Sequence, residues 1–447
     1  MTGVQTCALP IFDCDLHLDK EDNSFHGTLF RFPLRTKEQA IRSEINPLPY
    51  DCKQVKDLLR LFIGGARSLL LFTQNVLRVS IFHLPKETTE NPQPNLIFDV
   101  TKKLAKDVVL RELSTPYNLS TVSKELSAED QFLLKQCNFL RASSEAVKFA
   151  GYSGNSSTVL LRSAITLDVQ STVTVDGSHF FGDEVHLPSG TERWLVASSM
   201  GSGEAMQFSK QDKSLLPSGG VAVQLTLNNG SISVPVCRSN PSGSAFCYLP
   251  LPIHTGLPLH VNGAFAVASN RRRLKDKTED DKVCIGADWN NVLLKDSVCA
   301  AYLDLINDVK QATQAPGGTY QFHSLWPRSC EVEKACEPLA RSFYERLVAE
   351  SLPLFPHGNS WVGVHEVVFL HPMFRRDTEI GDVAFEVFRL LLGSNKVVVD
   401  LPADIHESFV SFDLETAIQS GNFNKNRFFR ELFFPNVGSV QIGRAHV

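Results

Sequence analysis

Four runs rich in β-branched and apolar residues follow one another after Gly151: "STVLLRSAITLDV", "RWLVASSM", "GGVAVQLTL" and "GSISVPV". Gly, Ser, Asn and Pro separate them, which is the pattern of consecutive strands joined by turns. A chain carrying such a block must build a sheet there. The block predicts a β-dominated unit over residues 151–283 whose sheet has one covered face.

Helical patterning flanks this block. Asp51 is a plausible N-cap, and Val55, Leu58, Leu59 and Phe62 fall on one predicted face, with Gly64-Gly65 expected to interrupt or weaken the helix and "ARSLLLF" to extend or restart it. "VLRVSIFHL" alternates like a strand, and "PKETTENPQPN" reads as a polar loop. A second helix is expected around "SAEDQFLLKQCNFL", with Ser127 as cap and Phe132, Leu133 and Leu140 inward. Beyond Cys284, "DWNNVLLKDSVCAAYLDLINDV", "ACEPLARSFYERLVAESL" and "DVAFEVFRLLLG" read as helices, the last ended by Gly393, and "VHEVVFLHP" as a strand. Domains are therefore expected over 37–150 (α/β connecting), 151–283 (β-rich) and 284–441 (α-rich), preceded by a short segment 12–36. No repeat of 20 to 50 residues is visible.

With 447 residues, 43% of them hydrophobic, the chain can bury a sizeable core. A net charge of −5 with both signs interspersed demands no polyanionic partner, so nucleic acid is not expected. No run of eighteen apolar residues suggests a membrane span. Ten cysteines at irregular spacings read as reduced thiols rather than a disulfide framework, and a cytoplasmic location is the expectation. The sequons at Asn118, Asn155 and Asn229 are then chance matches.

The two ends carry a separate signal. "TCALPI", Thr6 to Ile11, can be encoded as ACG TGT GCT CTT CCG ATC, and "IGRAHV", Ile442 to Val447, as ATC GGA AGA GCA CAC GTC. Apart from the final base of each, these strings are reverse complements, and both resemble sequencing adaptor. Residues 1–11 and 442–447 are thus expected to be translated adaptor, a reading that the nucleotide record decides.

Few residues invite chemistry. Cys330 and Cys336, or Cys237 and Cys247, lack the paired short spacings of structural zinc, and His254 and His260 flank a turn where core or loop histidines are the ordinary outcome. No nucleophile elbow or phosphate loop of standard spacing occurs. Trp194, Trp289, Trp326 and Trp361 are most simply core or interface residues. Arg31 and Arg35 on "GTLFRFPLRT" suit phosphate or a solvated strand edge equally. The strongest local feature is "YLPLPIHTGLPLHVNGAFAVASNRRR", Tyr248 to Arg273, with a turn at Thr255-Gly256-Leu257-Pro258. Arg271 to Arg273, with Lys275 and Lys277, could sense a γ-phosphate or contact nucleic acid. Asp276, Glu279, Asp280 and Asp281 follow at once and favour a solvated mixed-charge loop.

That stretch resembles the sacsin family, in which such a strand ends in Ser-Asn-Arg-Arg and precedes a Trp-Asn helix. "GTLFRFPLRT", "SLLLFTQNVLRVSI", "RWLVASS", "GGVAVQL", "DWNNVLLKDSVCAAYLDLI", "LPADIHESF" and "FFRELFFPNV" also look like family stretches, from about Gly27 to Val437. The resemblance implies an α+β chain. Residues 12–36 would be the end of a histidine-kinase or heat-shock-90-type ATPase α/β sandwich, followed by a mixed α/β region with a β-rich centre and a helical C-terminal part. It implies ATP-linked chaperone or co-chaperone work with the seventy-kilodalton heat-shock system on client proteins, among them intermediate filaments. Gly27 and Thr28 resemble the pair beside the adenine, while the residues that would hold magnesium and activate water have no match between Phe12 and His26. ATP and magnesium are accordingly expected in the parent protein and not in this chain alone, with no catalytic or metal residues here. The alternative is a non-catalytic scaffold or client-binding repeat.

Overall fold

Asp51 closes a capping box with Gln54, each side chain accepting the other's backbone N–H at 2.9 and 2.8 Å, and the helix Cys52–Leu69 follows. It runs through Gly64 and Gly65 without interruption, and a Cβ at either would meet nothing within 4 Å. Of the face expected to be buried, Val55, Leu59 and Phe62 are half-buried and only Leu58, 55% exposed, turns out; beside it Lys56, Arg60, Ile63 and Arg67, at spacings of four, three and four, form a second, anchored stripe. Lys56 Nζ donates to Phe180 O at 2.8 Å and Arg60 to Phe181 O, capping the last turn of helix Val175–Phe181. Arg67 Nε donates to Ser171 Oγ at 2.7 Å and its guanidinium pairs with Glu192. Cations hold this helix where periodicity alone points to apolar residues.

This computed structural model describes residues 18–19, 24–25, 34, 36–44, 47–84, 94–105, 127, 139–152, 161–182, 189–228, 231–233, 243–276, 285–313, 323–357, 360–371, 374, 381–392, 396–419 and 425–436. The chain divides into two units. The first comprises Met1–Leu70, Val76–Lys103 and Asp168–Glu192, and the second Leu71–Asn75, Leu104–Leu167 and Arg193–Val447.

In the first unit β1 (Leu18–Asp19) pairs antiparallel with β2 (Ser24–Phe25), and β3 (Arg78–His83) with β4 (Asn95–Leu104). The strand β4 was not expected from the sequence. Its inward positions are Phe98, Val100 and Lys102, and a lysine at a core position hides the alternation. Lys102 is 1% exposed and its ammonium donates to Leu70 O at 3.0 Å, which satisfies the buried charge in part through the end of helix Cys52–Leu69. The end of β5 (Arg162–Val173) also lies here, followed by helix Val175–Phe181. Thr174 caps that helix through Gly177 N–H at 3.0 Å and donates to Leu96 O at 2.6 Å.

The second unit carries a mixed sheet of β6 (Gly190–Met200), β7 (Ser218–Asn228), β8 (Ser231–Ser233), β9 (Ser244–Cys247), β10 (Leu249–His254) and β11 (His260–Gly263). Its order is β10-β9-β11-β7-β6 with β8 also on β7; β11 and β9 run parallel, and β10-β9, β11-β7, β7-β6 and β7-β8 run antiparallel. Strands β6, β7, β8 and β11 fall on runs read as strands from the sequence, whereas β9 and β10 were not expected. Helix Glu204–Gln211, also in the strand-rich block, was not expected there.

The predicted "DWNNVLLKDSVCAAYLDLINDV" helix forms with one modification. Ile285–Leu293 and Cys299–Thr313 are α-helical, and Leu294–Val298 between them is a π segment. Val292, Leu293, Val298, Leu303, Leu305 and Ile306 are all buried. The π segment presses on β7 at Gly219, where a Cβ would lie 2.6 Å from Val298 N. Around helix Glu337–Ala349 the core is aromatic. Trp326, Tyr302, Phe343 and Tyr344 are 0% exposed, and both tyrosines donate to backbone carbonyls, Tyr302 to Leu325 O at 2.6 Å and Tyr344 to Pro327 O at 2.7 Å. The core expectation holds for Trp194, Trp289 and Trp326, and Trp361 is half-buried. No helix among the described residues is long and apolar enough to cross a membrane.

Candidate functional site

After β11 the chain forms a tight hairpin over Ala266–Lys275. Val267 bridges Leu274, Ala268 N–H donates to Arg273 O at 3.0 Å, Lys275 N–H to Ala266 O at 2.9 Å and Arg271 N–H to Ala268 O at 2.8 Å. Asn270 fits the turn because its carboxamide oxygen accepts the Arg272 N–H at 3.0 Å. Arg271 adopts φ +55, a left-handed conformation that costs an arginine about 1–2 kcal/mol.

The Trp289-Asn290 pair pins this hairpin from the next helix. Asn290 Oδ1 accepts the Ala266 N–H at 2.8 Å, and its Nδ2 donates to Ala266 O at 2.8 Å and to Lys275 O at 3.1 Å. Trp289 Nε1 donates to Ala264 O at 2.8 Å. Asn290 is 3% exposed and spends its whole carboxamide on one strand pair. Residues 269–273 are exposed. Arg273 pairs with Asp276 at 2.7 Å, as the mixed-charge reading expects, and Arg271 Nη2 donates to Cys247 O at 3.3 Å. Arg272 has no ion-pair partner among the described residues.

The Cys247 carbonyl ties the hairpin to the corner between β9 and β10, where Tyr248 has φ +61. Asn262 Oδ1 holds that corner by accepting the Tyr248 N–H at 2.9 Å. Burial pushes the Tyr248 phenol up to about 12, and its hydroxyl and that of Ser218 interact without a hydrogen bond of full geometry. Both line a cavity of about 40 Å³ shared with Ser163, Gln74 and Asn262. That is room for two or three waters at most, far below an adenine nucleotide.

His260 lies on the same strand as Asn262. It stacks on Trp194 at 5.3 Å, meets Phe246 edge-on and accepts the Ser244 N–H on Nδ1 at 3.0 Å, so the neutral ring carries its proton on Nε2. Burial lowers its pKa from 6.5 to about 4. Above pH 6.5 the ring is neutral folded or unfolded and stability is unaffected. As pH falls from 6.5 toward 4 the unfolded chain takes up a proton that the fold refuses, and stability drops by about 3 kcal/mol. Urea unfolding of the wild type is therefore expected to weaken steeply between pH 6.5 and 4, and that of His260→Gln less steeply; equal slopes would sink this account.

A second concavity, of about 260 Å³, is lined by Arg162, Lys295 and Arg346 opposite Glu204 and Asp296. Its charges are largely spent. Arg162 pairs with Asp304 at 3.1 Å and Arg346 with Glu350 at 2.8 Å. The N-terminus of helix Glu204–Gln211 is filled by Asp296, which accepts the N–H groups of Gly203 at 2.9 Å and Ala205 at 3.2 Å.

Gly27 and Thr28, the expected adenine-side pair, lie outside the described residues, as do Arg31, Arg35, Lys277, Cys237, Gly393 and the three sequon asparagines. Thr36, at the end of the same stretch, caps helix Lys37–Ile41 in a capping box with Gln39. Cys52, Cys247, Cys299, Cys330 and Cys336 are free thiols, and no group of metal-ligating side chains occurs among the described residues. The anchoring roles of Asn290, Asn262 and Asp296 were not read from the sequence. The adjacency of Trp289-Asn290 to the arginines was its only trace.

Fold and site together define an α+β protein whose mixed sheet continues into a rigidly pinned arginine hairpin. The chain is similar to sacsin: a family model described as the Sacsin domain matches residues 5–95, and Sacsin from Homo sapiens is 28% identical over 475 aligned residues, which cover 97% of this chain. The chain spans about 10% of that relative's length. No solved structure matches it.

Proposed function

We propose that the chain is a segment of a sacsin-like molecular chaperone or co-chaperone that assists cytosolic protein folding and the quality control of intermediate filaments, with the seventy-kilodalton heat-shock system as partner. The observation that carries this reading is the 28% identity to human Sacsin along 97% of the chain. ATP with magnesium is proposed as a cofactor of the whole protein, with Gly27 and Thr28 as its adenine-side contact. This chain alone is read as inactive toward ATP because the residues that would hold magnesium and activate water have no match between Phe12 and His26.

One observation favours a second reading, a client- or neighbour-binding scaffold without nucleotide turnover. The most elaborately supported surface feature is an exposed hairpin, not an enclosed pocket. A calorimetric titration with Mg-ATP separates the two. This chain is expected to show no binding, and a version extended upstream of Phe12 to bind and to weaken about tenfold on Thr28→Ala, as loss of one well-placed hydrogen bond predicts. An extended chain that binds no nucleotide would discard the ATP-linked reading and leave the scaffold.

A further inference from the structure

The arginine hairpin has the properties of a recognition element. Among the described residues of the hairpin, Arg271, Arg272, Arg273 and Lys275 stand beside one carboxylate, that of Asp276, in a chain whose net charge is −5. The described tip thus presents an excess of positive charge. It is displayed on a backbone that does not need to rearrange, because Asn290 and Trp289 make four hydrogen bonds to residues 264–275. Gly286 brings the same helix against Lys275, where a Cβ would lie 2.9 Å from the lysine side chain. The left-handed Arg271 is an energetic cost that those anchors sustain. Preorganisation of this kind lowers the entropy lost when a partner binds.

We propose that the hairpin tip is a docking element for an acidic segment of another protein chain, whose Asp or Glu carboxylates are taken by Arg272 and Arg271. The chemistry follows from the guanidinium, a planar fork that meets a carboxylate with two parallel hydrogen bonds. Arg272 is ready for such a contact, with no ion pair to break among the described residues. Arg271 gives up only a 3.3 Å contact to a carbonyl. The tip lines neither of the two cavities, so the ligand lies across an open surface and does not enter a pocket. A polynucleotide is the poorer fit, because its affinity is built from many phosphate contacts over a broad basic face and this patch is one turn wide. The inference stands whether or not the parent protein turns over ATP.

The probe is a fluorescein-labelled peptide of ten alternating Glu and Asp residues, titrated with the full chain at low salt and read by anisotropy. Binding is expected to fall at least tenfold in the double variant Arg271→Ala, Arg272→Ala, and severalfold in Arg272→Lys, which keeps charge but not the fork. It should weaken with added salt. Arg272→Glu, at an exposed position with unstrained backbone, is the second variant and should abolish binding while leaving the thermal midpoint unchanged. Lys210→Ala, an exposed cation on another helix, should change nothing. No binding by the wild type, equal loss in Lys210→Ala, or retention by both arginine variants would overturn the proposal. So would displacement of the peptide by Mg-ATP or by a ten-nucleotide single strand at lower concentration than unlabelled peptide.

Discussion

Asn290→Leu should destabilise the second unit by about 3 kcal/mol. The substitution keeps the branched heavy-atom skeleton and removes three hydrogen bonds at once, leaving Ala266 N–H, Ala266 O and Lys275 O without the partner that satisfies them. Orphaning a buried polar group costs about 1–3 kcal/mol, and the half-exposed setting of these backbone groups argues for the lower end for each. Asn290→Asp retains the acceptor for Ala266 N–H and loses both donors, so about 2 kcal/mol is expected. The measurement is urea unfolding, joined to amide exchange at Ala268 and Lys275, whose N–H groups close the hairpin ladder. Both amides should exchange faster in Asn290→Leu by more than the global loss explains, because the pin is lost before the fold. A variant within about 0.5 kcal/mol of wild type, the range of an inert surface change, would mean that the carboxamide does not hold the hairpin.

The same residue shows what a sequence can and cannot disclose. The strands β6 and β7 were legible because "RWLVASSM" and "GGVAVQLTL" alternate and are bounded by turn residues, and the structure pairs them from Arg193 opposite Leu225 to Met200 opposite Ser218. Asp51 was legible as a cap because capping is local chemistry. Asn290 was not, since nothing in "DWNNVLL" says which of two adjacent asparagines turns inward to meet backbone 24 residues away in sequence. What was missed on helix Cys52–Leu69 and strand β4 has one cause. Pattern reading assigns apolar residues inward, and here Lys56, Arg60 and Lys102 also take inward positions because carbonyls at helix ends accept their hydrogen bonds, as Arg67 does through Ser171 and Glu192. The π segment was hidden for a related reason. One widened turn shifts the helix phase without altering its apolar spacing enough to be seen, yet it delivers Asp296 to the Gly203 and Ala205 amides and Ser297 Oγ to Pro217 O at 3.1 Å. The adenine-side reading of Gly27 and Thr28 falls on residues outside those described, so its test is the nucleotide titration.

Gly256→Ala is expected to have the largest effect of any single methyl group added to the chain's turns. Gly256 has φ +68, and a Cβ there would lie 1.9 Å from Glu331 O and 2.7 Å from Glu331 C, which are backbone atoms that cannot rotate away. The turn is also tied on every side. Thr255 N–H donates to Gly243 O at 2.9 Å, Glu333 N–H to Thr255 O at 3.0 Å, Gly243 N–H to Leu257 O at 3.0 Å and Leu257 N–H to Thr255 Oγ1 at 3.2 Å. Relief of the overlap must therefore break at least one of these contacts or shift the segment ahead of helix Glu337–Ala349. Left-handed strain contributes about 1 kcal/mol, and the displaced backbone with its orphaned groups about 3 kcal/mol or more, which puts the loss above about 4 kcal/mol. Gly64→Ala supplies the opposite sign. That glycine is interior to helix Cys52–Leu69 with open space where the methyl would go, so alanine should stabilise by about 0.5–1 kcal/mol through helix propensity and the unfolded chain's lost freedom. One urea series on the two variants reads both effects. Equal midpoints would show that residues 255–257 do not rest on the 331–333 segment in solution, whereas opposite shifts would fix the turn as the place where the sheet and the C-terminal helices are joined within the second unit.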